Sequence, residues 1–444
     1  MVTTFLQTTP LCVPWKCAVQ ESHINHGAVL GTQELNPQPV ESSLLIVMLF
    51  ILFLVLTMDA LIIVRHYTFR DAFVCNDYSP CVCEIYEPYG LVVHCGDAVN
   101  DKLSVTVLDV RKALNSTKVR HIYWLDLVSL STESQSSDII NIPADLLNGK
   151  SVDRIAINCS SIAGPLRLEI HPDAFRSSLQ HIGHFEVAGC DLSRLDFDFL
   201  ANSSRLMSLS ITRSIHFQGF PPMAFLARLT SLRVYECLDF QYWNQIADRL
   251  PLLESLFLDG TQLGDRSVNK LVNSIASSPT GNETLQQLSL WENRLTRVPD
   301  GVSSFKKLSY ANFFGNAIRT IPRGSLAFSQ DVRVTFLILS KNELTDIEPG
   351  AFQGDFTEAL VYLDFNRLAR FDSAVYEDML QQMSYVTSTA GLYVHNNPFV
   401  CDDCHLSWLI RDKRYLLKRV HNGRCSNGTQ FENLNPRGYD HCLP

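Results

Sequence analysis

The chain has 444 residues, with 37 Lys and Arg against 46 Asp and Glu and a formal net charge of −9. That acidic balance excludes a general nucleic-acid footprint, which needs a basic surface. Length alone would suggest two or three domains, but such a count fails for a repeating array, whose single core grows with the chain.

Taken in chain order, residues 1–43 carry no periodicity and are expected to be unstructured. Leu44 to Val64 then form an apolar run broken only by Thr57 and Asp59, long enough to span a bilayer. Arg65 and Arg70 follow it and no Lys or Arg lies within the twenty residues before it, a flank pattern that would leave the rest of the chain cytoplasmic. The downstream cysteines and sequons oppose that orientation. Residues 44–64 are therefore read as a signal sequence, with translation starting later, for example at Met48, or as a signal anchor that tethers the chain to a membrane.

Residues 75–98 hold Cys75, Cys81, Cys83 and Cys95 in a C-x5-C-x-C-x11-C cluster. Four clustered cysteines fit a disulfide framework or a zinc site. From 104 to 396 a pattern of short strands appears, blurred at first around Ile122, Leu125 and Leu127 and then regular. LQQLSLWENRLTRVP, LSYANFFGNAIRTIP and VTFLILSKNELTDIEP place apolar residues at positions one, four and six, with Asn293, Asn316 and Asn342 three residues later. Such a unit cannot bury its apolar side alone, so copies must stack. A carboxamide turned inward at that place satisfies turn groups that have no ladder partner. The same position recurs at Asn366 and Asn397 downstream, and at Thr261, Cys237, Ser214, Cys190 and Ser160 upstream, with Cys159 one place off the ladder. This is the signature of a leucine-rich repeat: an α/β solenoid, or horseshoe, with a parallel concave sheet, an irregular or helical convex side and a disulfide cap at each end. Between Gly264 and Glu283 the spacing lengthens, and Val268, Leu271, Val272 and Ile275 predict a helical insertion on the convex side.

Residues 397–444 begin NPFVCDDCHLSWLI and continue to Cys425 and Cys442. Asn397, Pro398, Phe399, Cys401, Cys404, Trp408 and Leu409 resemble the C-terminal cap of extracellular leucine-rich repeat proteins, and the 75–98 cluster resembles their N-terminal cap. The usual C-x-C is C-x2-C here. Four cysteines allow three pairings; the resemblance implies Cys401 with Cys425 and Cys404 with Cys442, and a short helix covering the core. Over residues from Cys75 onward, the irregular strands and the ending LYVHNNPFVCDDCHLSWLI are similar to the arthropod secreted leucine-rich repeat proteins typified by the non-catalytic subunit of oplophorus-luciferin 2-monooxygenase. That resemblance implies an accessory chain that stabilises a partner and has no reaction or cofactor of its own. Sequons at Asn115, Asn158, Asn202, Asn282 and Asn427, together with two cysteine caps, point to the secretory route and to glycosylation.

There is no G-x-S-x-G, H-E-x-x-H or phosphate-binding glycine loop, the histidines are scattered, and Asp196 and Asp198 read as loop polarity. No catalytic site, cofactor or metal is expected, and His405 beside Cys404 reads as a solvated or capping residue. Function is expected on the concave sheet. Its strand positions are small or polar in the first half, at Arg154, Ala156, Asn158, His184, Glu186, Ser208, Ser210 and Thr212, and then become aromatic. Tyr235, Phe257, Trp291, Tyr310, Phe314, Phe336, Ile338, Tyr362 and Tyr393 form an expected exposed stripe, of the kind enriched at protein interfaces. The alternative is that these rings fold over one another. The basic run Arg411, Lys413, Arg414, Lys418 and Arg419 fits either a polyanion contact at the C-terminal cap or a solvated helix face.

Overall fold

The computed structural model describes residues 80–442 except 97–104, 133–137, 162–163, 201, 220–227, 242–249 and 386–388. The N-terminal segment 1–43, the apolar run 44–64 and Cys75 lie outside the described residues.

Each repeat returns its chain along the outer side before the next strand begins, so consecutive strands lie side by side in one 14-stranded sheet whose spatial order follows the sequence. They are β1 (Val82–Tyr86), β2 (Gly90–Gly96), β3 (His121–Val128), β4 (Ser151–Asn158), β5 (His184–Ala188), β6 (Ser208–Thr212), β7 (Ser231–Tyr235), β8 (Ser255–Asp259), β9 (Gln287–Ser289), β10 (Tyr310–Asn312), β11 (Phe336–Ile338), β12 (Leu360–Tyr362), β13 (Gly391–Tyr393) and β14 (Val420–His421). β1 and β2 are antiparallel, and the later pairs are parallel and in register, as in Leu209↔Leu232↔Leu256↔Leu288. Strand alternation sends those leucines into one continuous core, each burial contributing roughly 1.5–3 kcal/mol.

The inward turn after each strand is held by the predicted polar ladder. Asn316 donates from Nδ2 to the carbonyls of Leu290 and Phe313 and accepts from Leu295 N–H. Asn342, Asn366 and Asn397 repeat the arrangement one strand further on each time. Asn293 does the same with Leu258 and Leu263, and also accepts from Thr261 Oγ1 at 2.9 Å. The residue before the ladder position is left-handed in each repeat from β5 to β13: Gly189, Arg213, Glu236, Gly260, Glu292, Gly315, Lys341, Phe365 and Asn396 have φ between 47° and 67°. Most are not glycine, so the inward carboxamide or hydroxyl holds a conformation that costs an ordinary residue energy. Gly315 is needed at its place, because a Cβ there would come within 2.8 Å of Glu292 Cγ.

The predicted insertion is the helix α2 (Asp265–Ala276), which buries Val268, Leu271, Val272 and Ile275. It follows α1 (Val107–Ser116), started by a reciprocal Thr106–Asp109 capping box. One ladder position departs from expectation. Ser160 is exposed, in a two-residue hairpin with Gly164–Pro165, and Cys159 turns inward instead and bonds Cys190. The disulfide joins neighbouring repeats where other repeats use asparagine.

The β1–β2 hairpin closes the N-terminal end and contains the Cys81–Cys95 disulfide; Cys83 is disulfide-bonded as well. At the other end Cys401 bonds Cys425 and Cys404 bonds Cys442. The expected single cap helix is a series of short turns, Cys404–Leu406, Trp408–Asp412 and Arg414–Arg419. Lys413, at φ −128° and ψ 43°, separates the last two. The chain gives up helical continuity to pack rings: Trp408 stacks on Phe371 and donates to its carbonyl at 2.9 Å, while Phe399 and Phe431 meet Phe371 edge-on. These turns and rings cover the core as one leucine-rich repeat solenoid.

Candidate functional site

Parallel register brings the outward strand residues into three rows across the concave face. Arg233, Phe257, Ser289, Asn312, Ile338, Tyr362 and Tyr393 occupy the middle row. Ser255, Gln287, Tyr310 and Phe336 lie on one side of it, and Tyr235, Asp259, Trp291, Phe314, Ser340, Asp364 and His395 on the other.

The aromatic stripe is present but is not exposed as expected. Ile338 is 0% accessible, and Phe257, Tyr310 and Tyr362 are only 4%, 6% and 4% accessible. These four lie outside the main core cluster. They are closed over by their neighbours on the concave side, because large rings on strands about 4.8 Å apart meet before water can enter. Tyr310 meets Phe336 at 5.9 Å between centroids, and Tyr362, Tyr393 and His421 stack in series at 4.6 and 4.5 Å. Tyr235, Trp291, Phe314, Phe336 and Tyr393 are half-buried and form the outer layer. Trp291 touches Tyr235 at 6.1 Å and Phe314 edge-on at 5.8 Å.

Cations from the same face lie on these rings. Arg233 sits 5.1 Å from the Phe257 centroid, and Lys341 lies 5.2 Å from Phe314 and 5.8 Å from Phe365. Arg213 lies over Tyr235 and pairs with Glu236 at 2.8 Å. Burial pushes the Tyr235 hydroxyl up to about 12.

Two buried carboxylates went unnoticed in the sequence. Asp259 accepts from Ser289 Oγ at 2.6 Å and from Trp291 N–H at 2.9 Å, and burial raises its carboxyl to about 6. Asp364 accepts from Ser340 Oγ at 2.7 Å and faces His395 at 3.7 Å. Burial raises Asp364 and lowers His395, so both are driven toward their neutral forms. The available signal was an acid two residues before a ladder residue, opposite a serine on the adjoining strand. Trp291 Nε1 and both His395 ring nitrogens are buried with no hydrogen-bond partner among the described residues.

Elsewhere the candidate residues have structural work. Arg411 donates to the carbonyls of Tyr439 and Cys442, Arg414 to those of Leu434 and Glu432, and Arg419 to that of Ala390, while Lys413 pairs with Glu377. These contacts tie the C-terminal cap together through Arg411, Lys413, Arg414 and Arg419, while Lys418 is exposed and the expected helix is broken at Lys413. His405 is buried, accepting from Phe371 N–H at Nδ1 and meeting Val400 O at 2.6 Å through Nε2; it bridges two loops and is neither solvated nor a simple cap. Asp196 accepts from Asp198 N–H within a turn. Among the described residues, Cys404, His441 and Cys442 have donor atoms close enough for a metal, but the two sulfurs share a disulfide and offer no thiolate. The sequons at Asn115, Asn202 and Asn427 are exposed, and those at Asn158 and Asn282 half-buried.

Comparison with known proteins adds a partial likeness. No protein-family model matches the chain. A stretch of 103 residues is 35% identical to Tsukushi of Xenopus tropicalis, which amounts to 22% of this chain and 27% of that relative. The chain thus spans about a quarter of the length of the curated relative it matches. A chain in a solved octameric complex of Latrophilin 3 (Lec, Olf), Unc5D (Ig, Ig2, TSP1) and FLRT2 (LRR) aligns with a TM-score of 0.47 and 16% identity, over 81% of this chain and 99% of that one.

Proposed function

We propose that this chain is an extracellular, non-catalytic protein-binding repeat protein whose partner docks on the C-terminal half of the concave face, centred on Trp291, Phe314 and Phe336. The observation that carries the reading is the double aromatic layer. Phe257, Tyr310, Ile338 and Tyr362 form a closed floor, so the half-buried rings above it are already ordered and lose little conformational entropy when a partner covers them. Asn158 ends β4 on the concave side, and a glycan on it would leave the C-terminal half as the open part of the sheet. The five sequons and the disulfides at both ends support an extracellular location. The similarity to the non-catalytic subunits of arthropod luciferin monooxygenases supports an accessory role, stabilising another protein.

A tethered form is the second reading, favoured by the apolar run Leu44 to Val64. No helix among the described residues is long and apolar enough to cross a membrane. The N-terminal residue of the mature protein separates the two: one beyond Val64 means secretion, and one before Leu44 means an anchor.

The docking site is tested by the triple variant Trp291→Ala, Phe314→Ala, Phe336→Ala, compared with wild type for a partner recovered from extracellular material by crosslinking. The partner should be lost while secretion is retained. Equal affinity in a secreted, folded triple variant would sink the concave-face assignment.

A further inference from the structure

The disulfides differ in what surrounds them. Cys81, Cys95, Cys159, Cys190 and Cys425 are at most 5% accessible, and Cys401 is half-buried. Cys404 is the exposed cysteine among the described residues, and it is bonded to the buried Cys442. The His441 imidazole touches both sulfurs of this bond, with Nε2 3.8 Å from Cys404 Sγ and 3.7 Å from Cys442 Sγ. The Arg411 guanidinium, shared with Asp412, donates to the Cys442 carbonyl at 2.7 Å. Cys404 Sγ is thus open to attack, while Cys442 Sγ is buried and His441 lies against both sulfurs, where its protonated ring would stabilise a thiolate departing on Cys442.

We propose that Cys404–Cys442 is a thiol-exchange site, opened by an external thiolate that attacks Cys404. The incoming sulfur bonds to Cys404 Sγ, the Cys404–Cys442 bond breaks, and its electron pair leaves on Cys442 Sγ as a thiolate, which takes a proton from the His441 ring when that ring is imidazolium, leaving neutral imidazole, and from water otherwise. A second thiolate then attacks the incoming sulfur of the mixed disulfide, forming the external disulfide and releasing Cys404 as a thiolate. Two electrons pass from two external thiols to the protein bond. The cap stays seated meanwhile, because Tyr439 Oη still donates to the Cys401 carbonyl and Arg411 still holds the carbonyls of Tyr439 and Cys442. The two sulfurs remain neighbours, so opening is reversible. The residue that directs the exchange is His441.

The test treats the full secreted chain with reduced glutathione or with reduced thioredoxin, quenches with an alkylating agent over time, and maps modified cysteines by mass spectrometry. Cys404 and Cys442 should be labelled first, with a glutathione adduct on Cys404 in the first arm, and the bond should re-form when thiol is removed. The arm that opens it distinguishes a small monothiol from a protein dithiol. His441→Gln should slow opening severalfold, since a less acidic leaving thiol departs more slowly, and His441→Lys should restore it. First labelling at Cys401 and Cys425, opening by neither reagent while other disulfides open, or equal rates in wild type and His441→Gln would overturn the proposal. The melting curve of each variant without thiol separates this outcome from misfolding.

Discussion

Asn342 donates from Nδ2 to the Phe313 carbonyl at 2.9 Å, across the boundary between two repeats. The same nitrogen reaches Leu339 O at 3.0 Å, and Oδ1 accepts from Ile318 N–H at 3.1 Å. One side chain therefore completes its own turn and locks the preceding repeat to it.

Replacing Asn342 with Ala should remove these bonds, together with the one from Nδ2 to Ser340 O at 3.3 Å, and leave buried backbone groups unpaired. The expected loss is about 3 kcal/mol, since each buried orphan costs roughly 1–3 kcal/mol and relaxation recovers part. Chemical denaturation of the purified variant measures it; a loss below about 0.5 kcal/mol would show that water replaces the carboxamide.

The Cys159–Cys190 bond closes a loop with a sequence separation of 31 inside the array. The double change Cys159→Ala, Cys190→Ala should lower stability by about 3 to 4 kcal/mol if the cross-link acts through loop-closure entropy. Differential scanning calorimetry of this variant beside wild type measures the loss.

The folded carboxyl of Asp259 is raised from 3.8 to about 6 by burial. Below pH 3.8 both folded and unfolded states hold the proton and the group contributes nothing. Between pH 3.8 and about 6 the unfolded state releases its proton first, so folding stability falls as pH rises, and above about 6 the full cost is present. Asp259→Asn keeps an acceptor for Ser289 and Trp291 but cannot ionise. Its gain over wild type should be absent near the low end of that window and grow to about 2 to 3 kcal/mol at neutral pH. Denaturation series at both ends of the window decide it, and a gain independent of pH would contradict the burial argument.

Phe257 and Trp291 should separate stability from binding. Phe257 is closed in by its neighbours, and Phe257→Ala should cost about 3 to 5 kcal/mol through the void left behind. Trp291→Ala removes a half-buried outer ring; it should weaken a concave-face partner by about 2 kcal/mol or more with a smaller effect on unfolding. Isothermal titration with the recovered partner, beside melting curves, reads the two effects independently.

The repeat, its register and its inward residues were legible in the sequence, because every strand of a solenoid faces the same environment and the same chemical need recurs at a fixed interval. Asn293, Asn316, Asn342, Asn366 and Asn397 could be placed from spacing alone, and so could the helix at Val268 to Ile275. Contacts between repeats were not legible, since they depend on neighbours that are distant in sequence and on how closely curvature brings them. Spacing put Ser160 on the ladder, yet the hairpin that follows turns it outward and delivers Cys159 to Cys190. It set out an exposed aromatic stripe, whereas the tertiary structure split it into a closed floor at Phe257, Tyr310, Ile338 and Tyr362 and an outer layer at Trp291, Phe314 and Phe336. It marked Arg411 and Arg414 as surface charge, but folding the cap back on itself gave their guanidinium groups the carbonyls of Tyr439, Cys442, Leu434 and Glu432 to hold. Periodicity determines which side of the sheet a residue takes; only packing across strands decides whether it meets water, another ring or a partner for its charge.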